Sequence, residues 1–130
     1  MSIQSSVILT LGAIALATLL ASFTDWLFMD VLINRYYATA PEIWRPRGGT
    51  ARIVVSQVIG TVATAAFVVL CLHRVPPLHA AVLVWLAGAL PVTLQNVQWM
   101  KLHPAIGASH AAGWLVRLLI AALLTRLILL

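Results

Sequence analysis

Charge is what this chain has least of: among 130 residues, eight are Lys or Arg and three are Asp or Glu. A water-soluble domain carries roughly a quarter charged residues. A chain this poor in charge cannot cover a water-facing surface, which excludes an ordinary soluble globule and turns the surplus apolar side chains toward lipid. Cysteine is nearly absent too. Cys71 stands alone, which excludes an intrachain disulfide, and no Cys-His spacing suggests structural zinc. The first residues, Met1 to Ser6, lack a basic cluster, and the first apolar run leads into Thr24-Asp25-Trp26 instead of a small-residue cleavage site. That pattern reads as a retained helix and not as a signal peptide. No nucleophile elbow, phosphate loop, HExxH pair or paired-carboxylate signature occurs, so the chain is not expected to be an enzyme.

What is present is apolar sequence in long runs. The hydrophobic share is 62%, and a helix crossing a hydrocarbon core of roughly 30 Å takes about 20 such residues. Four runs qualify, over residues 7–29, 53–72, 78–97 and 106–130. They are continuous and do not alternate, which argues for helices over barrel strands. The predicted fold is therefore all-α, a single transmembrane domain over 1–130 arranged as an up-down four-helix bundle. The second and third connections are short. His73-Arg74-Val75-Pro76-Pro77 makes a tight hairpin whose prolines can open the next helix, and Pro104 can do the same after Lys101-Leu102-His103. Only the first loop has room for structure. Thr39-Ala40-Pro41-Glu42 matches a capping box, and a short interfacial segment over 39–46 is expected before Gly48-Gly49. Tyr36, Tyr37, Trp44, Arg45 and Arg47 belong to this amphipathic, headgroup-level piece.

A net charge of +5 and a pI near 10.8 resemble a nucleic-acid signal, but the basic residues are scattered at helix ends and form no basic face. No nucleic-acid partner is expected. Basic residues beside apolar spans instead report topology and contact with anionic lipid. Arg35, Arg45, Arg47, Arg52 and Lys101 lie in or beside the first and third loops, against Arg74 and Arg126 on the other side. This places loops one and three in the cytoplasm and both termini in the periplasm of a bacterial inner membrane.

Polar residues inside apolar spans need protein or water around them. Helix one carries Thr24 and Asp25, helix two Ser56 and Gln57, helix three Gln95 and Asn96, and helix four His110 and Arg117. All fall in the half near loops one and three, so a shared polar layer is expected, centred on an Asp25–Arg117 ion pair with His110, Gln95 and Asn96 around it. Spacing supports shared faces. Ala13, Ala17 and Ala21 lead at intervals of four to Asp25, and Gly113 sits between His110 and Arg117. Ser56, Gly60 and Thr64 align on helix two, and Gly88, Pro91 and Gln95 on helix three, where Pro91 is expected to kink the helix.

Plainer readings stand beside this one. The ion pair can be a packing lock without chemistry. Trp26, Trp44 and Trp99 suit an interfacial belt, Trp85 and Trp114 suit bundle packing, and Arg126 suits snorkelling or a partner. Asp30 and Arg35 suit a solvated membrane edge. His73, His79, His103 and His110 raise haem ligation, yet they lie at hairpin mouths, and no cofactor is expected.

Pro91, Asn96, Gly113, Trp114, Leu115 and Val116 in the stretch 87–124 resemble small bacterial four-helix inner-membrane proteins of a family of unknown function. The end of helix one does not carry the Gly-x-x-Trp-Tyr-Ser-Pro-like sequence associated with them. The resemblance implies a fold and a location, and no activity. Two functions follow as expectations. One is an accessory or structural membrane subunit that interacts with lipids and either self-associates or joins a larger complex. The other is a small oligomeric proton-coupled transporter or channel with Asp25 as its titratable centre, with a haem- or quinone-associated protein a distant third.

Overall fold

The computed structural model describes residues 3–38, 50–73, 75–99 and 102–130. The expected interfacial segment 39–46, with Trp44, Arg45 and the nearby Arg47, lies outside the described residues. The described residues are helical, and four helices among them are long and apolar enough to cross a membrane. The first is α1 (Ile3–Trp26), which continues through a π-helical stretch (Leu27–Leu32) to a short α2 (Asn34–Ala38). The second is α3 (Thr50–His73). The third is made of α4 (Pro77–Val84), a π-helical stretch (Trp85–Ala89) and α5 (Leu90–Trp99). The last is α6 (Pro104–Ile128).

The prolines do what their missing N–H allows. Pro77 and Pro104 each occupy the first turn of a helix, where no intrahelical donor is required. His103 caps α6, its Nδ1 accepting from Ala105 N at 3.1 Å. Pro91, inside the third span, cannot donate to the carbonyl four residues back, and its ring crowds that carbonyl. The wider π-helical turn at Trp85–Ala89 lies immediately upstream, the kind of local adjustment that absorbs such a break.

Hydroxyls in the apolar helices are mostly turned back on their own chain. Thr18, Thr64, Thr93 and Thr125 donate to the carbonyls of Ile14, Gly60, Ala89 and Ala121 at 2.7–2.8 Å. Each satisfies its polar atom within one turn, which lets a threonine sit where a valine would.

The helix α6 is the hub: it packs against α1, α3, α4 and α5, whereas α1 makes no contact with the third span among the described residues. The tightest packing gathers the middle of α1, the end of α3, the start of α4 and the second half of α6. Ala17, Phe67, Cys71, Ala80, Ala81, Leu118, Ala121 and Ala122 form one buried cluster there. Ala13, Ala17 and Ala21 are each only 1% exposed, so the small-residue stripe of α1 is a close helix–helix contact. Elsewhere, large apolar side chains such as Ile8, Leu19, Ile53, Val62, Leu83 and Leu127 cover the outside of the helices.

Candidate functional site

The alanine stripe of α1 ends on Asp25, two residues before the π-helical stretch. Its partner comes from the middle of α6: Arg117 Nη2 donates to Asp25 Oδ2, closing an ion pair across residues 92 positions apart. The two sides of the pair are unequally covered. The Arg117 side chain is 11% exposed and that of Asp25 40%. One glycine makes room for the guanidinium: a Cβ at Gly60 on α3 would lie 2.5 Å from Arg117 Nη1, whereas one at Gly113 on α6 would lie 3.8 Å from Asp25 Oδ1, an ordinary contact. The guanidinium is also placed over the Trp114 ring, 5.5 Å from its centroid, a distance at which cation–π attraction operates. Arg117 Nη1 is buried and has no hydrogen-bond partner among the described residues, and the same is true of Ser109 Oγ. A buried donor left unpaired costs about 1–3 kcal/mol, more when charged. The guanidinium is therefore held by one hydrogen-bonded nitrogen, by the gap at Gly60 and by the Trp114 face.

This pair forms one wall of an open cavity of about 610 Å³, lined also by Phe28, Ala51, Val55, Ile59, Gly60, Ser109, His110, Gly113 and Trp114. Its walls are mainly apolar and aromatic, and its polar groups converge from α1 and α6, the usual make-up of a small-molecule pocket. A second cavity of about 520 Å³ lies between the third span and α6, lined by residues including Gly88, Val92, Thr93, Asn96 and Leu102. His110 and Trp114 line both cavities, so they stand between them on α6.

The expected single polar layer is thus divided into separate groups. Asp25, Arg117 and His110 share the first cavity. Asn96 lines only the second, and Gln95 is exposed and lines neither. Gln57 takes a different partner: Ser22 Oγ donates to its Oε1 at 2.6 Å, tying α1 to α3. The division follows from the hub, because α6 stands between α1 and the third span and keeps Gln95 and Asn96 from Asp25. The backbones of Ser56 and Tyr37 are helical, and their side chains lie outside the described set. Tyr36 stacks on His103, centroids 4.9 Å apart at 29°, and Arg35 lies over the Tyr36 ring at 4.9 Å while donating to its hydroxyl at 3.1 Å. This small stack joins the chain leaving the first span to the start of α6.

Sequence reading passed over Ser109, Phe28 and the cavity role of Trp114, although the signal was there. Ser109, Gly113 and Arg117 recur at spacing four, Trp114 precedes Arg117 by three, and Phe28 follows Asp25 by three, all same-face intervals. Trp85, read as packing, donates from Nε1 to Ala111 O at 2.8 Å and fastens the third span to α6. As for the histidines, His79 lies at the start of the third span and His103 beyond its end. Among the described residues no group of three or more His, Cys, Asp or Glu is placed to hold a metal. No family model, curated protein or solved structure matches this chain.

Proposed function

We propose that the chain is a multi-pass protein of a bacterial inner membrane, an up-down four-helix bundle that acts as an accessory or interaction module and not as a stand-alone transporter. Loops one and three lie in the cytoplasm and both termini in the periplasm. Four long apolar helices with large aliphatic side chains on their outer faces support membrane insertion, since that surface has no favourable contact with water. The basic residues near the first and third connections support the orientation.

One observation favours the accessory reading over transport. The polar groups around Asp25 lead into a blind end: beyond Arg117 the helices close on Ala17, Phe67, Cys71, Ala80, Ala81, Leu118, Ala121 and Ala122. A transport route needs polar groups or water on both sides of its centre. Among the described residues this cluster of alanine and larger apolar side chains supplies none, and the nearby Thr64 and Thr125 hydroxyls are turned to backbone carbonyls. The ion pair then has two duties, to fix the register of α1 on α6 and to form the wall of a cavity facing the cytoplasmic half of the bilayer. Such a module can dock on a larger membrane complex or on a second copy of itself.

Purification in mild detergent followed by intact-mass analysis tests the reading, with a stoichiometric partner or a homo-oligomer as the expected result. Proton-linked flux in proteoliposomes of the protein alone, abolished by Asp25→Asn in a variant that still folds and assembles, would replace it with the transporter.

A further inference from the structure

We propose that the cavity beside Asp25 is a binding site for a neutral, hydroxyl-bearing amphiphile that enters from the membrane. The inference deepens the reading above by naming a ligand class, and it rests on that membrane assignment.

The shape of the cavity comes first. About 610 Å³ lies inside the range of roughly 300–1,000 Å³ typical of small-molecule pockets. Two of its wall residues, Val55 and Ile59 on α3, are 57% and 62% exposed, so the wall they build continues into the lipid-facing surface of the bundle. A ligand reaching the site along that wall needs an apolar body. Phe28 and Trp114 add aromatic surface to the same lining.

The head group is specified by which polar atoms a ligand can reach. Arg117 Nη1 and Ser109 Oγ are buried with no accessible surface to speak of, so neither meets a ligand directly. Asp25 is accessible, and only its Oδ2 is engaged by Arg117. A carboxylate oxygen accepts hydrogen bonds and donates none, and the His110 imidazole in the same lining can do either. A hydroxyl head, which both donates and accepts, therefore suits the polar side of the cavity.

Charge narrows the choice further. Arg117 already balances Asp25, and Gly60 and Trp114 hold the guanidinium in place. A cationic head would approach a carboxylate whose charge is already compensated, with a guanidinium behind it. An anionic head would meet the carboxylate itself. In a medium of low dielectric either encounter is unfavourable, whereas a neutral hydroxyl satisfies the carboxylate without adding charge. Arg117 is here a positioning residue, acting through Asp25.

Full-length protein in lipid nanodiscs is loaded with one of four probes: dioctanoylglycerol, a decyl-substituted hydroquinone, dodecylammonium or dodecanoate. Retained adducts are then counted by native mass spectrometry. The two hydroxyl probes test the same chemistry from different sources, an acylglycerol and an alkyl-chain phenol, and the one retained more strongly identifies the source. Val55→Trp fills the cavity from its wall without touching the ion pair. Val62→Trp adds the same bulk at a 63% exposed position on α3 outside the lining. Expected are retention of a hydroxyl probe by the wild type and Val62→Trp, and a fall of about tenfold or more in Val55→Trp, with both variants unfolding at the wild-type midpoint. Equal retention in Val55→Trp, no retention of either hydroxyl probe by the wild type, or stronger retention of the ammonium or carboxylate probe overturns the proposal. Its failure is separable from that of the membrane reading. A chain that resists carbonate extraction from membranes yet holds no hydroxyl probe overturns the site alone, and a chain released by carbonate overturns the membrane assignment.

Discussion

The half of the bundle around Ala17, Ala81 and Ala122 and the half around Asp25 and Arg117 use small residues in opposite ways. In the first, alanines at 0–1% exposure let helices approach until no space remains between them. In the second, Gly60 leaves room that a guanidinium then occupies, and beside it a cavity stays open. A stripe of small residues therefore announces close approach or a made space. What decides between them is whether a large polar side chain from a neighbouring helix arrives at the gap.

The largest expected effect comes from unbalancing the ion pair. Asp25→Leu leaves the mostly buried Arg117 with no counter-charge and should destabilise by about 3 kcal/mol, the lower end for a broken buried pair. Arg117→Leu leaves the more exposed Asp25 behind and should cost clearly less, since an exposed charge keeps part of its solvation. Equal losses in equilibrium unfolding from detergent would remove the asymmetry on which the open-cavity picture stands.

Overfilling the sealed half comes next. Ala122→Leu introduces three carbon atoms where the native side chain is fully buried, and should cost about 2 kcal/mol. A variant that unfolds at the wild-type midpoint would show hidden space in that half and erase the contrast.

A smaller loss, about 1 kcal/mol, is expected for Gly60→Ala, because the new methyl group meets Arg117 Nη1 and the end of that side chain can shift. Its sharper readout is a combination with Asp25→Leu. The two losses should add to less than their sum if both act on the position of the guanidinium. The smallest effect belongs to the outer surface: Val62→Trp should stay within about 0.5 kcal/mol of wild type.

Much of this architecture could be read in advance. Residue chemistry and run length announce helices directly, and four helices long and apolar enough to cross a membrane are present among the described residues, with Pro77 and Pro104 at the starts of α4 and α6. The spacing of Ala13, Ala17, Ala21 and Asp25 identified one face, because a regular helix turns any interval of four into adjacency. The continuation of the first helix to Leu32 through a π-helical turn was not foreseen, since no proline or glycine marks it. The division of the polar residues could not be read either. Equal depth along four helices says nothing about their order around the bundle, and it was order that set Asn96 apart from Asp25.

Sequence alone determined that this protein has little surface fit for water, that its long segments are helical, and that Asp25 and Arg117 are the two charges set deep in those segments. These follow from local properties: transfer free energy, backbone hydrogen bonding and the 3.6-residue turn. The tertiary structure decided that α6 is the hub, that Gly60 is where the guanidinium fits, and that Gln57 joins Ser22 while Asn96 faces another cavity. Those outcomes depend on which helix stands beside which, and that is settled by the packing of whole surfaces and not by any one segment.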